Sequence, residues 1–395
     1  MPPAAPEFII QLLPIPDSSD LLVVAAQPLT AKGHLYKVNI PTRASTDIGV
    51  VEGDGATGPA VWLDPGKTVL ASRTVNGLTN IWALDLNKGS TQVTTGPGPD
   101  SSPMLEPGGK GIYFVSGKNS ASLTMYQVKT QKSTDILADD VSQPLFSPDG
   151  KQVQYIRYLE PGRRELWVSG VDGSNRLKLA TGGDFLGTLD WSSDSQRLTY
   201  ADGQHLYVVG ADGRGLQEIK GINDGTIVFS LWSSDGKRLV ITAISKDISI
   251  WTALADGSQV EKFPGPGFMV SAATPDGKYL LGFTISGSDV GIYQMAVSDK
   301  RRVPLLPGIT TMMLRFAPDY QSFLYAVAGR DEVIIYRQAW RDGALIGKPQ
   351  IALKVPFAFP LYYKGNAFDF SIDLSKIVYV RPGGQHDLYY LSLQQ

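Results

Sequence analysis

The sequence has no cysteine and only three histidines among its 395 residues. Without cysteine the chain cannot form disulfides, thiolate metal sites or a cysteine nucleophile, although this absence does not select a cellular compartment. Apolar runs are also short. The longest, such as Leu21–Ala26, have about six residues, whereas about twenty are needed to span a bilayer. We therefore predict no membrane contact by this chain itself.

Neither sign of charge dominates. The chain has 36 basic and 38 acidic side chains and a formal net charge of −2. It lacks the basic stripe that a phosphate backbone requires, which argues against a nucleic-acid partner. The sequence also lacks a Gly-x-Ser-x-Gly elbow, a Walker loop and a dinucleotide-binding fingerprint. We predict no cofactor and no catalytic activity.

What the sequence has in abundance is one repeat. Nine times an apolar stretch ends in a turn of the Pro-Asp-Gly-Lys type, and two short β-rich runs follow. The turns recur roughly every 40 to 45 residues, the length of a four-stranded propeller blade. They are centred on Asp17, Pro65, Gly108, Asp149, Asp194, Asp235, Asp276, Asp319 and Asp373. The second, third, eighth and ninth turns are degenerate, and where the turn Asp is eroded we expect a local hydrogen bond to be lost.

The period predicts an all-β fold, a single closed β-propeller of about nine blades, each a four-stranded antiparallel sheet. Eight blades is the alternative, if the first and last units merge. The last unit ends after its third strand. The segment 6–13 either supplies the missing strand or forms the innermost strand of the first unit. Its distance from Asp17 favours the second position, which leaves a three-stranded final blade. Residues 1–7 are interpreted as a linker remnant and residues 8–395 as one propeller domain.

The period also separates two rims. In a blade the chain starts at the innermost strand, so the first and third turns share one rim, which we call the turn rim. Third turns such as Asp172-Gly173 and Asp256-Gly257 repeat the same tight-turn chemistry. The loops between the two β-rich runs vary in length and character, and they define the opposite loop rim. Variable loops on a rigid scaffold are where recognition usually occurs.

The candidate binding residues lie on the predicted loop rim. Arginines near an aromatic ring can bind carboxylates or a partner's surface, although a solvated loop with internal ion pairs is the alternative for the fourth unit. The candidates are Arg157, Tyr158, Arg163, Arg164, Arg330, Arg381 and His386. Another apolar segment, Val355–Tyr363, must be covered by the propeller or by another molecule.

Other recurring residues have structural explanations. The histidines, His34, His205 and His386, occupy similar positions but belong to the first, fifth and ninth units, too far apart to share a zinc ion at about 2 Å. We therefore predict no metal site. The recurring tryptophans are interpreted as packing between blades. They are Trp62, Trp82, Trp167, Trp191, Trp232 and Trp251.

The fourth unit, with Phe146–Lys151, Glu165–Val168 and Asp172–Ser174, resembles the TolB-type or WD-like propeller repeat family. The C-terminal stretch, including Phe323–Val327 and Gly365–Ser371, is similar to the propeller regions of bacterial receptor serine/threonine protein kinases, notably from acidobacteria. That resemblance implies an extracytoplasmic sensor or protein-interaction module, periplasmic or extracellular, tethered elsewhere by a membrane helix. Kinase motifs are absent from the sequence, so no kinase activity is expected of this chain.

Two hypotheses follow. The first is a non-catalytic recognition or scaffold propeller, a monomer that binds a protein, peptide or small molecule through the loop rim. It predicts no cluster of carboxylates or histidines with strongly perturbed pKa values. The alternative is a propeller enzyme, a lyase or glycan-cleaving protein. It predicts titratable groups that converge on the central channel.

Overall fold

The computed structural model describes residues 8–26, 33–51, 60–75, 78–96, 98–159, 163–183, 186–265, 267–274, 276–284, 290–309, 311, 313–317, 319–357 and 366–393. In these ranges the regular elements are β-strands, and no helix there is long and apolar enough to cross a bilayer. Tertiary contacts divide the chain into two compact units. Unit 1 contains residues 1–120 and 383–395, and unit 2 contains residues 121–382.

The strands are short, rich in β-branched and aromatic residues and bounded by turns. In chain order they are β1 (Phe8–Pro14), β2 (Asp20–Ala26), β3 (Gly33–Asn39), β4 (Ser45–Val51), β5 (Val61–Asp64), β6 (Thr68–Val75), β7 (Leu78–Asp85), β8 (Gly89–Gln92), β9 (Asp100–Leu105), β10 (Gly111–Gln127), β11 (Lys132–Ala138), β12 (Val141–Phe146), β13 (Gln152–Tyr158), β14 (Arg164–Gly170), β15 (Leu177–Gly182), β16 (Leu186–Trp191), β17 (Arg197–Asp202), β18 (His205–Gly210), β19 (Gln217–Ile219), β20 (Thr226–Trp232), β21 (Arg238–Ile244), β22 (Ile248–Leu254), β23 (Glu261–Phe263), β24 (Met269–Ala273), β25 (Tyr279–Thr284), β26 (Gly291–Ala296), β27 (Arg302–Pro307), β28 (Leu314–Phe316), β29 (Ser322–Ala328), β30 (Val333–Arg341), β31 (Ala344–Val355), β32 (Phe368–Phe370) and β33 (Lys376–Ser392).

Unit 1 has two four-stranded antiparallel sheets, β1 to β4 and β5 to β8, each in sequential order. A third sheet combines β9, the first half of β10 and the last residues of β33. The segment 6–13 was considered for two positions. Its described part lies in β1, which pairs with β2 at the start of the first sheet, so the preferred position is confirmed.

Unit 2 contains five sequential four-stranded sheets, β12 to β15, β16 to β19, β20 to β23, β24 to β27 and β28 to β31. In another sheet, the second half of β10 lies between β11 and the first half of β33, and β32 completes the order. First strands of consecutive sheets contact each other from β12 through β28, and β32 contacts β12. Arg315 of β28 donates a hydrogen bond to the Phe370 carbonyl of β32 at 3.2 Å.

The predicted count of nine separate blades is not confirmed. The described strands form eight hydrogen-bonded sheets, because the third sheet of unit 1 and the sheet of β11 and β32 in unit 2 are parts of one sheet, to which the third and ninth repeat units contribute through β10 and β33. A loop was also expected between the two β-rich runs of every unit. In the ninth unit this expectation is wrong, since Pro382, Gly383 and Gly384 lie within the 17-residue strand β33. The extended backbone continues there because β33 keeps a partner strand in each unit.

The repeated turn is held by its own side chains. In the fourth repeat, Ser147 Oγ donates to Asp149 Oδ1 at 2.7 Å, and the same oxygen accepts the Lys151 amide at 3.1 Å. Turns at Asp194, Asp235, Asp276 and Asp373 repeat this pair of bonds. The amide bond also survives in the degenerate eighth turn, where Gln321 N donates to Asp319 at 3.0 Å. In this turn the sequence departs from the motif at other positions, and the aspartate that accepts the bond is retained.

Hydrogen bonds confirm the turn rim in unit 2. Residues that enter the third turn donate to carbonyls of the first turn, as in Val171 N to Lys151 O at 3.1 Å and Ala255 N to Lys237 O at 2.8 Å. The same link recurs in the sheets that contain Ala211, Val297 and Trp340. First and third turns therefore lie on the same rim of each sheet, as the period predicts.

Packing between sheets forms the core. Trp191 is 3% exposed and packs with Ile156 and Leu166 of the preceding sheet, while Trp232 and Trp251 pack against Leu206 of the sheet before them. For these three tryptophans the predicted role between blades is confirmed. Aromatic rings suit this place because each one buries a large apolar area.

Candidate functional site

The hairpin between β13 and β14 brings together four of the predicted binding residues in unit 2. Strand pairing places Tyr158 directly opposite Arg164, and Arg157 opposite Glu165. Arg157 is largely neutralised by internal ion pairs. Its Nε lies 2.5 Å from Asp139 Oδ2, and its Nη1 lies 3.6 Å from Glu165 Oε2. Arg157 therefore matches the alternative prediction of internal pairing rather than a free binding group.

Tyr158 and Arg164 form a stacked pair at the same hairpin. The Arg164 guanidinium lies over the Tyr158 ring, 4.9 Å from its centroid, a cation–π geometry. The Tyr158 hydroxyl lies 3.0 Å from Ser142 Oγ, and burial raises the pKa of this phenol. The stack gives the hairpin a fixed cationic surface, because the ring and its hydroxyl are held from two sides.

Arg163 and Arg330 differ from these pairs. Both are exposed, and among the described residues neither guanidinium has an acidic partner. Arg163 directly precedes β14 in the β13–β14 hairpin, and its carbonyl accepts the Leu159 amide at 3.2 Å. Arg330 lies between Gly329 and Glu332, which are joined by a backbone hydrogen bond of 2.8 Å at the tip of the β29–β30 hairpin. Two short hairpins thus present arginines to solvent.

The remaining two candidates are not loop residues. Arg381 lies in β33 in unit 2, and its guanidinium forms an ion pair with Asp135 of β11. The side chain of His386 lies outside the described residues, and its backbone belongs to the part of β33 in unit 1. The structure therefore does not place these two residues in one hairpin loop.

A second group of charged residues was missed from the sequence. Asp190, Arg315 and Asp369 lie on the first strands β16, β28 and β32 of three sheets in unit 2, and we call them the axial cluster. Arg315 forms an ion pair with Asp369, whose side chain is fully buried, while Arg315 keeps 23% exposure. The repeat contained a signal for them. Each residue lies two positions before the first residue of a turn, where the fourth and sixth repeats have Leu145 and Leu231.

Each carboxylate of the axial cluster also joins neighbouring sheets. Asp190 Oδ2 accepts the Trp232 amide of the next sheet at 3.0 Å, and Asp369 Oδ2 accepts the Phe146 amide at 2.8 Å. Burial raises the pKa of Asp190 to about 7, an effect that the Trp232 and Trp191 amides and the positive charge of Arg315 only partly oppose. Burial also raises the pKa of Asp369, again opposed by Arg315. The expectation of no perturbed carboxylate cluster is therefore wrong in unit 2, because two acidic residues occupy inner positions that are leucine in the fourth and sixth repeats.

His205 and His34 contact single acidic residues outside the hairpin site and the axial cluster. His205 Nδ1 lies 2.8 Å from Glu218 Oε1 in unit 2, and His34 Nδ1 lies 3.9 Å from Asp47 in unit 1. In the part of the chain that the structure describes, no three His, Cys, Asp or Glu side chains are grouped so that they could hold a metal ion.

No family model matches the chain, and no curated protein matches it. Solved structures with a similar fold include TolB proteins. A putative TolB from Agrobacterium tumefaciens is 16% identical, with a TM-score of 0.49 over 68% of this chain and 99% of that chain. TolB from Acinetobacter baumannii is 12% identical, with a TM-score of 0.41 over 90% and 77%. Oligogalacturonate lyase from Vibrio parahaemolyticus is 14% identical, with a TM-score of 0.42 over 86% and 99%. Likeness at this level assigns neither ligand nor activity.

Proposed function

We propose that the chain is a non-catalytic recognition or scaffold propeller that binds a protein, peptide or small-molecule ligand through the loop rim of unit 2. One observation carries the proposal. The aspartates of the repeated turns accept hydrogen bonds within their own turns, whereas Arg163 and Arg330 on the loop rim are exposed and have no acidic partner among the described residues. Exposed arginines on rigid hairpins are favourable anchors for a partner.

The proposal includes the architecture and the biological setting. The six sheets of unit 2 close into a ring, and the contacts of Arg315 with Asp369 and Phe370 support this closure between the last sheet and the shared one. The setting is the sensor region of a bacterial signalling protein, extracytoplasmic and joined elsewhere to a membrane helix. Its support is the resemblance of the C-terminal repeat to kinase-linked propellers.

The absence of cysteine makes a direct test practical, because one introduced cysteine gives one labelling site. Arg163→Cys and Arg330→Cys would carry a benzophenone crosslinker on the loop rim. Arg214→Cys is the matched control, since Arg214 lies at a third turn and its side chain is 91% exposed. Against a defined peptide library we expect crosslinks from positions 163 and 330 that unlabelled protein competes away. Equal yield from position 214, or none from the loop rim, would contradict the proposal.

A propeller enzyme is the second candidate, and the axial cluster favours it. A carboxyl group with a pKa of about 7 next to an Arg–Asp pair suits acid–base chemistry near neutral pH. Oligogalacturonate is a suitable first substrate, with formation of unsaturated product followed by ultraviolet absorbance. Turnover by the wild type that Asp190→Asn abolishes, with the fold unchanged, would establish the enzyme and refute the non-catalytic proposal.

A further inference from the structure

The third sheet of unit 1 has an uncovered edge. Its strands follow the order β9, β10 and β33, and among the described residues no strand pairs with the outer edge of residues 388–392. Leu393 N donates to Lys110 O at 2.9 Å, so this amide faces β10. Successive residues of a strand alternate in direction, and the amides of Leu388, Tyr390 and Ser392 therefore face away from β10. These are the unpaired donors of an edge strand.

The side chains at this edge are apolar and accessible. Leu388 is 71% exposed, and Tyr389 and Tyr390 are each 49% exposed. From Leu388 to Leu393 the sequence has no charged residue, no proline and no glycine. Short uncharged segments of high β-propensity are the ones that pair with other strands when they are exposed.

Several other outer strands carry features that block such pairing. Lysine, proline and short length are the usual ways to protect a sheet edge. Strand β31 has Lys348, Pro349 and Lys354, and β23 has only three residues, of which two are charged. In unit 1, β8 has four residues and all are exposed and polar or glycine. Residues 388–392 of β33 contain neither lysine nor proline.

We propose that this edge pairs with the same edge of a second copy of the chain. An uncharged strand meets its own copy without like-charge repulsion, and a two-fold axis between two antiparallel β33 strands satisfies the outward amides of both. The intrachain candidate for this position, the segment 6–13, is already used in its described part, since β1 pairs with β2. The inference goes beyond the proposed loop-rim function and replaces the expected monomer with a dimer.

The test is sedimentation equilibrium of the full chain from about 1 to about 100 µM, where a dimer approaches twice the 42.7 kDa mass of the chain. Two variants address the edge. Leu388→Lys adds a charge at an exposed position, and Ser392→Pro removes an outward amide. We expect each to weaken association by at least about tenfold. Ile346→Lys is the matched control, because Ile346 is 53% exposed on β31, whose edge is already protected.

Circular dichroism and thermal unfolding establish that each variant is folded. If one edge variant fails to fold, the other still decides the question. A wild type that stays monomeric up to about 100 µM overturns the proposal, and so does association that survives a folded edge variant. Association that Ile346→Lys weakens equally overturns it too, because the contact would then not be specific to β33.

Discussion

Replacing Asp190 by asparagine should stabilise unit 2, relative to wild type, more at alkaline pH than at acidic pH. Burial raises the pKa of Asp190 from 3.8 to about 7, so the folded state holds the proton more tightly than the unfolded state. The unfolding free energy therefore falls as the pH rises from about 4 to about 7 and then levels off. Asparagine keeps an oxygen for the Trp232 amide and has no charge to bury, which removes this pH dependence.

The magnitude follows from the two pKa values. At about 1.4 kcal/mol per pKa unit, the raised pKa of Asp190 lowers the unfolding free energy by about 1 kcal/mol at a pH near 4.5 and by about 4 kcal/mol at a pH near 8. Relative to wild type, Asp190→Asn should thus gain about 3 kcal/mol more at the higher pH than at the lower. Any constant cost of the new amide group cancels in this difference.

Urea unfolding at the two pH values measures the effect, with the fluorescence of the neighbouring Trp191 and Trp232 as the signal. Asp276→Asn is the control. The Thr274 hydroxyl and the Lys278 amide and side chain hold the pKa of Asp276 at about 2, below both conditions, so its substitution should have nearly the same effect at each. If Asp190→Asn changes the unfolding free energy equally at both pH values, burial does not control the titration of this carboxyl.

Three further predictions concern the core and the turns. Gly277 has φ +67° and open space where a Cβ would lie, so Gly277→Ala should cost about 1 kcal/mol in thermal unfolding and Gly277→Asn less. Gln154 is fully buried with no described partner for its amide, and Gln154→Leu should raise the unfolding free energy by about 1 to 2 kcal/mol, while Gln154→Glu should lower it. Asp369→Asn leaves the Arg315 guanidinium without its carboxylate and should cost about 3 kcal/mol in urea unfolding, and adding Arg315→Leu should recover part of that loss.

The turns show how much of this fold a sequence can predict. Their hydrogen bonds are local, because the Ser147 hydroxyl and the Asp149 carboxylate lie two residues apart, so a short motif identifies them. The motif even tolerates loss of its glycine. Ser195, Tyr320 and Leu374 adopt φ of 61°, 53° and 56° at the glycine position, and the surrounding turn persists. Local bonds thus allow the period and the strand order within most sheets to be predicted.

Pairing between distant segments is a different problem. The sequence of β10 does not show whether its residues form a hairpin or one continuous strand, because the polar residues Ser116 to Ser120 are typical of a loop. Its choice of partner depends on β33, more than 250 residues away, and only the energy of the complete sheets decides it. The axial cluster was missed for a related reason. A charged residue on one first strand predicts a cluster only when the other first strands are known to lie close to it.

Strand β33 also sets a condition on biosynthesis. It is synthesised after every other described strand, and each unit needs part of it: residues 376–382 lie beside β11 and β32, and residues 388–392 lie on the β9 side of the shared sheet. Segments made earlier can form their hairpins, yet neither unit can complete its set of sheets until synthesis reaches this strand. Until β33 is made, the nascent chain therefore remains incompletely folded, a state in which chaperones can still engage it.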